Sequence, residues 1–250
     1  MRLGDKSYTT FFKFAFIRPR DPLLIPIAGS FPGAYGTRWT TDVWVFNDSD
    51  EPTNLFAEVC MNLGAFFPCG NRAIVPAHGA LALELGGQRD ARSPQLYLNP
   101  PNDVAGRLHF SVRVHDLSRP DEIGTQIPIV RRSDFRTGRV ELMNVPVNDG
   151  FRGLLRIYDE MRFLRAAVTV RAFAMQSGTL LAERKLEQSL PTDNPLRWTF
   201  IVGDLLSDAQ VRAHASIRIE IEEADPDASL WALLTLTDNA TQRITVVTSE

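Results

Sequence analysis

Apolar and polar residues alternate along most of this chain, and a period of two is the signature of a half-buried β-strand. "GRLHFSVRVHDL" sets Leu108, Phe110, Val112 and Val114 against Arg107, His109, Ser111 and Arg113, one core face and one wet face. Ile217, Ile219 and Ile221 alternate in the same way with Arg218, Glu220 and Glu222. "GRVELMNV", "GLLRIYDE", "RAAVTVRAFA", "SLWALLTLTD" and "QRITVVTSE" read likewise, with Gly, Asn, Asp or Pro between most of the segments. Helical spacing is confined to a turn or two in "VGDLLSDAQVRA". Many short strands separated by turn signals predict an all-β chain of antiparallel β-sandwiches, Ig-like or jelly-roll-like.

"GTRWTTDVWVFNDSDEPTNLFAEV" carries two tryptophans on opposite faces of one strand. Trp39, Thr41, Val43 and Val45 share one side, and Arg38, Thr40, Asp42, Trp44 and Phe46 share the other. The "NDSDEP" turn and the alternating flank after it predict a hairpin. The continuous run Val43 to Phe46 predicts that both sides of this sheet are covered, because an outer face that met water would be polar. One of Trp39 and Trp44 is therefore expected in the core, and the other beneath a loop, a neighbouring domain or another chain.

A weak internal repeat divides the chain. "IPIAGSFPGAYGTRWTTDVWVFNDSDEP" from Ile25 is echoed by "IPIVRRSDFRTGRVELMNVPVNDG" from Ile127. Both pass from Ile-Pro-Ile to an aromatic (Trp39, Phe135), a strand closing at Asn47 or Asn144, a turn and a second strand. A spacing of about one hundred residues is domain-sized rather than solenoid-sized. The expected organisation is an N-terminal extension over 1–22, a first sandwich over 23–126 and a second over 127–250, with the two copies superposable.

Composition excludes several classes of partner. A net charge of −3 argues against nucleic acid, whose phosphates need a basic surface. Every strand-like run is cut by a charge, Gly or Pro well short of the roughly 20 apolar residues that span a bilayer, so no membrane-spanning segment is expected. At the N-terminus Lys13 interrupts the apolar patch Phe11 to Ile17 and no small-residue cleavage site follows, so no signal peptide is visible. Cys60 and Cys69 are the only cysteines, and turn residues lie between them. As a disulfide they would give roughly 2–3 kcal/mol and imply an oxidising compartment; the alternative is two free thiols near a strand end.

"PGAYGTRWTTDVWVFNDSDEP", "HDLSRPDEIGTQIPIVRRSDFRTG", "LMNVPVNDGFRGLLRIYD" and "WALLTLTDNATQRITVVTS" resemble recurring motifs of uncharacterised tandem β-sandwich proteins from environmental bacterial genomes. The resemblance covers most of the chain after about Leu23. It implies a fold and an extracellular or periplasmic compartment, and no catalytic residue.

Chemistry is sparse. His78, His109, His115 and His214 lack a second His or Cys at metal-ligand spacing. No nucleophile elbow, phosphate loop or H-E-x-x-H helix is present, and no cofactor is expected. Asp48 and Asp50, and Glu223, Asp225 and Asp227, sit in oxygen-rich turns that are weak calcium candidates without EF-hand spacing. Trp39, Trp44, Phe46, Trp198 and Trp231 are the candidate ligand or partner surface, each with core burial as the competing reading. These observations lead to a non-catalytic exported or cell-surface protein, a structural, adhesion or scaffold module acting through protein contacts or as a homo-oligomer. The alternative is a carbohydrate-binding module or, further off, a glycoside hydrolase. Two exposed, coplanar tryptophans beside polar residues, or a fully exposed Trp44, would favour sugar, and a buried pair with long uncovered strand edges would favour assembly.

Overall fold

A computed structural model describes residues 23–56, 59–62, 65–68, 72–83, 85, 96–98, 100–101, 104–119, 123–159, 167–186, 198–225 and 228–250, and the statements below concern these. The expected extension over 1–22 lies outside them. The chain is all-β, every strand pairing is antiparallel and, among the described residues, one short helix is present.

The first half holds β1 (Leu23–Ile25), β2 (Ser30–Pro32), β3 (Arg38–Asn47), β4 (Thr53–Phe56), β5 (Val59–Asn62), β6 (Ala65–Pro68), β7 (Arg72–Val75), β8 (Ala80–Ala82), β9 (Leu96–Leu98), β10 (Leu108–Asp116) and β11 (Thr125–Gln126). β3 lies at the centre of the main sheet, paired along its length with β10 and, on its other edge, with β2 and β8. β11 extends the sheet beyond β10. β1 pairs with β9 and bridges to Val130. β4 pairs with β7 and β5 with β6.

The second half holds β12 (Arg136–Thr137), β13 (Arg139–Pro146), β14 (Phe151–Asp159), β15 (Val168–Ala174), β16 (Leu180–Leu186), β17 (Trp198–Ile201), the helix α1 (Asp208–Ala213), β18 (Ser216–Glu223), β19 (Ser229–Asp238) and β20 (Ile244–Thr248). Helix α1 is fixed by a capping box between Ser207 and Gln210, in the segment where the sequence allowed a turn or two. One sheet runs β13-β18-β15-β16; in the other, β14 lies between β17 and β19, and β12 and β20 both pair with β19. The two sheets face each other across a single apolar core built from Val140, Leu142, Ile157, Val170, Ile219, Leu234 and their neighbours.

The expected hairpins do not form. β3 pairs with β10, β2 and β8 rather than β4, and β13 pairs with β18 rather than β14, so each turn carries the chain from one sheet to another. Alternating flanks around a turn specify two strands but leave open whether they pair. The repeat itself has a local counterpart in both halves: a one-turn 3-10 segment, Ala34–Gly36 or Arg132–Asp134, precedes the long strand. The asparagine that ends it is Asn47 in one copy and Asn148 in the other, since each side chain accepts the backbone N–H two residues on. Asn144 instead sits at a register shift inside β13 with a positive φ of 55°.

The halves share a core. Leu23, Ile25, Ile27, Val43, Val45, Leu108, Val112 and Val114 pack with Ile127 and Val130, and with Tyr158, Trp231 and Leu233 from the second half. β19 is buried without interruption from Leu230 to Leu236, because one face lines the second core and the other abuts the first half. The contact between the halves thus joins the inner face of β3 to the outer face of β14 and β19, and not the Trp44 face of β3 that was expected to be covered.

Candidate functional site

β3 buries Trp39, Thr41, Val43 and Val45 and turns Asp42, Trp44 and Phe46 outward. Trp44 is 52% exposed and Phe46 39%, so none of the described residues covers the face that the apolar run was expected to hide. The physical reason lies in the strands beside it. β8 places only exposed Ala80 and Ala82 opposite Phe46 and Trp44, and on the other side β10 places exposed His109 and half-buried Ser111 opposite the same two residues. Small neighbours leave the rings unscreened. His109 and Phe46 lie with ring centroids 6.2 Å apart.

Further along the same face Arg113 stands opposite Asp42, and His115 opposite Thr40. His115 Nδ1 lies 3.4 Å from Asp42 Oδ2. Arg38 and Arg113 are exposed and make no ion pair among the described residues. The face thus joins three aromatic rings to a hydroxyl, a carboxylate beside an imidazole, and two guanidinium groups that no described residue pairs with.

Both ends of this platform are pinned. At one end Asn47 is fully buried; its Nδ2 donates to Glu51 O (2.8 Å) and Val75 O (3.3 Å), and its Oδ1 accepts from Ser49 N (3.1 Å). At the other, buried Asp116 accepts from Arg38 N (2.9 Å), Ser118 N (3.0 Å) and Ser118 Oγ (2.7 Å). Burial alone would raise the Asp116 carboxyl, but these hydrogen bonds hold it below its ordinary pKa. A strand paired on both sides and closed at both ends presents its outward side chains on a rigid surface.

The other sequence candidates are dispersed. Trp39 is buried in the first core, and Trp231 packs against Tyr158 between the halves. The side chain of Trp198 lies outside the described residues, as does Cys69; Cys60 stands in β5 with Phe67 as its cross-strand partner. Asp50 pairs with His78 at 3.0 Å. Asp48 lies in the same turn, Glu223 and Asp225 lie at the end of β18, and Asp227 is outside the described residues. Among the described residues no three His, Cys, Asp or Glu side chains come together as a metal site.

Glu223 and Asp159 occupy the next inward positions of β18 and β14 beyond the second core, and both are buried. Glu223 Oε2 has no hydrogen-bond partner among the described residues. Burial first, then the Asp159 and Asp225 charges, push its carboxyl up to about 7. A perturbed acid of this kind suits proton transfer, but both groups are buried from solvent.

Sequence reasoning placed Trp44 and Phe46 together. It did not join His109, Ser111, Arg113 or His115 to them, because cross-strand register carries no local signal. No helix of the described residues is long and apolar enough to cross a membrane. No protein family matches the chain, and neither a curated protein nor a solved structure does.

Proposed function

We propose that this chain is a non-catalytic adhesion module of two β-sandwiches in tandem, exported or displayed at a cell surface, and that the outer face of its first sheet binds carbohydrate. The observation that carries this reading is the exposure of Trp44 and Phe46 on a rigid sheet, flanked by alanines on one side and by polar side chains on the other. An aromatic ring offers its face to the apolar C–H side of a sugar, while neighbouring charged groups bond the hydroxyls. The scaffold reading uses the same face as a subunit interface. It is less well supported at the sheet edges, because edge strand β16 carries exposed Glu183, Arg184 and Lys185, charges that discourage strand addition.

Affinity electrophoresis of the full chain through gels containing a panel of soluble polysaccharides tests the proposal. Retardation by at least one, lost in Trp44→Ala with a folded protein, is expected. A chain that no polysaccharide retards, and that light scattering finds as a dimer or larger through this face, would replace carbohydrate with assembly. The export component is tested separately: Cys60 and Cys69 of native material should resist alkylation until a reductant is added.

A further inference from the structure

The two outer sheet faces of this molecule treat their arginines in opposite ways. On the β13-β18-β15-β16 sheet each of three arginines is neutralised within the chain. Arg171 binds Glu183 (2.6 Å), Glu222 (2.6 Å) and Glu220 (3.2 Å). Arg218 binds Glu141 at 2.9 Å and stacks over Phe173 at 4.3 Å, and Arg139 binds Glu141 and Glu220, both at 3.3 Å. On the aromatic face, Arg38 and Arg113 are exposed with no ion pair among the described residues; of the described carboxylates near them, Asp42 lies 3.4 Å from His115, and buried Asp116 is bound by Ser118 and paired with Arg119. The chain as a whole is acidic, at −3. A net-cationic patch is therefore concentrated where the aromatic rings are exposed.

Resting on the carbohydrate reading above, we infer that the ligand is an anionic polysaccharide, a chain whose sugar units carry carboxylates as uronic acids do. Such a ligand complements this face in charge and in shape. Guanidinium is a planar fork that matches a carboxylate with two parallel hydrogen bonds, and it does so best where no protein carboxylate competes. Arg113 is two residues along β10 from Ser111, the cross-strand neighbour of Trp44, which makes Arg113 and Trp44 diagonal neighbours. Such neighbours stand about 7–8 Å apart, a span that one sugar ring stacked on Trp44 covers when its carboxylate points to Arg113. Arg38 lies further along the same face of β3, in place to meet the next acidic unit of the chain. A neutral polymer would leave both guanidinium groups without use. An acidic peptide would meet them and lack the flat ring that the alanine-flanked indole fits.

Native affinity electrophoresis of the full chain in gels containing polygalacturonate, hydroxyethylcellulose or poly-L-glutamate tests this. Retardation by polygalacturonate at low salt, with little by the other two, is the expected result. Arg113→Gln and Trp44→Ala should each weaken it tenfold or more, Arg38→Gln several-fold, and Arg212→Gln, on the exposed side of α1, not at all. Circular dichroism melts establish that each variant is folded, and Trp44→Gln serves if the alanine variant is not. Equal binding to hydroxyethylcellulose, indifferent to Arg113→Gln, would overturn the acidic specificity and leave the carbohydrate reading standing. Equal retardation by poly-L-glutamate, or retardation indifferent to both Trp44 variants, would reduce the effect to charge and overturn the inference. A folded chain that none of the three retards would overturn it as well, and the wider polysaccharide panel then decides the carbohydrate reading.

Discussion

Tyr158 and Trp231 stand opposite each other on β14 and β19 with ring centroids 5.6 Å apart, yet both point out of their own half and into the core of the other. The Tyr158 hydroxyl donates to Pro26 O at 2.8 Å, and burial raises its pKa well above that of a free phenol. The two halves are joined by packed aromatic area and by hydrogen bonds that include this one, the Leu24–Val130 bridge and Thr125 Oγ1 donating to Ile244 O at 2.5 Å.

Joined in this way, the halves should unfold together. Trp231→Ala is expected to cost about 3–5 kcal/mol, the usual loss for a large buried ring. Tyr158→Phe should cost about 0.5–1.5 kcal/mol by removing the donor to Pro26. Calorimetry should record one transition whose van't Hoff and calorimetric enthalpies agree. Two resolved transitions, with only the second shifted by Trp231→Ala, would mean that the shared core is not cooperative.

Trp44 is expected to behave in the opposite way. It is half exposed with small neighbours, so Trp44→Ala should change stability by no more than about 1 kcal/mol while removing polysaccharide retention. Chemical denaturation of the purified variant measures the first quantity. A loss of 3 kcal/mol would show that Trp44 is covered in solution, and would return the face to an assembly role.

The contrast between these two tryptophans marks how far the sequence could be read. Alternation along β3 sorted its side chains into two faces but not which face is inner: Trp39, Val43 and Val45 are inside, and Trp44 and Phe46 are outside. The rule that a continuous apolar run means two covered faces holds for β19 rather than β3: Leu230 to Leu234 is unbroken, and the outward positions Trp231 and Leu233 are themselves apolar. In β3 the outward set begins with Arg38 and Asp42, and that polar start outweighs the four-residue run. The all-β class, the strand positions and the short capped helix were legible because each is written in local periodicity. The pairing of β3 with β10, which brings His109, Ser111 and Arg113 beside the rings, was not legible, because it joins residues more than sixty positions apart and nothing local specifies register. The same limit made two sheet-crossing turns look like hairpins.

Arg156 provides a third test. Its side chain is buried, with Nη1 donating to Thr235 Oγ1 at 3.0 Å, Nε without a partner and no carboxylate bound to it among the described residues. Burial lowers its pKa from the ordinary guanidinium value. A buried charge paired this poorly costs more in desolvation than one hydrogen bond returns. Arg156→Met should therefore be neutral or stabilising by about 1–2 kcal/mol, since Thr235 Oγ1 keeps Leu154 O as an acceptor. Urea denaturation decides it, and a loss above 2 kcal/mol would reveal an anion that Arg156 holds.

The last prediction concerns pH and follows from Glu223. Its carboxyl is raised from the ordinary 4.5 to about 7, by burial first and then by the neighbouring Asp159 and Asp225 charges. Below the unfolded value both states carry the proton and Glu223 contributes nothing to the pH dependence. Between about 4.5 and 7 the folded state holds a proton that the unfolded state has released, so stability falls as pH rises through this window. Above it the folded protein carries a buried carboxylate with an unpartnered oxygen, a penalty of about 3 kcal/mol for a shift of this size. Glu223→Gln removes the titration and keeps the shape. The variant should match the parent near pH 4.5, exceed it in stability by about that amount at pH 8, and show a flatter profile between. Urea midpoints measured every half pH unit from 4.5 to 8.5 test this, and parallel curves for the two proteins would show that the Glu223 carboxylate is solvated or paired.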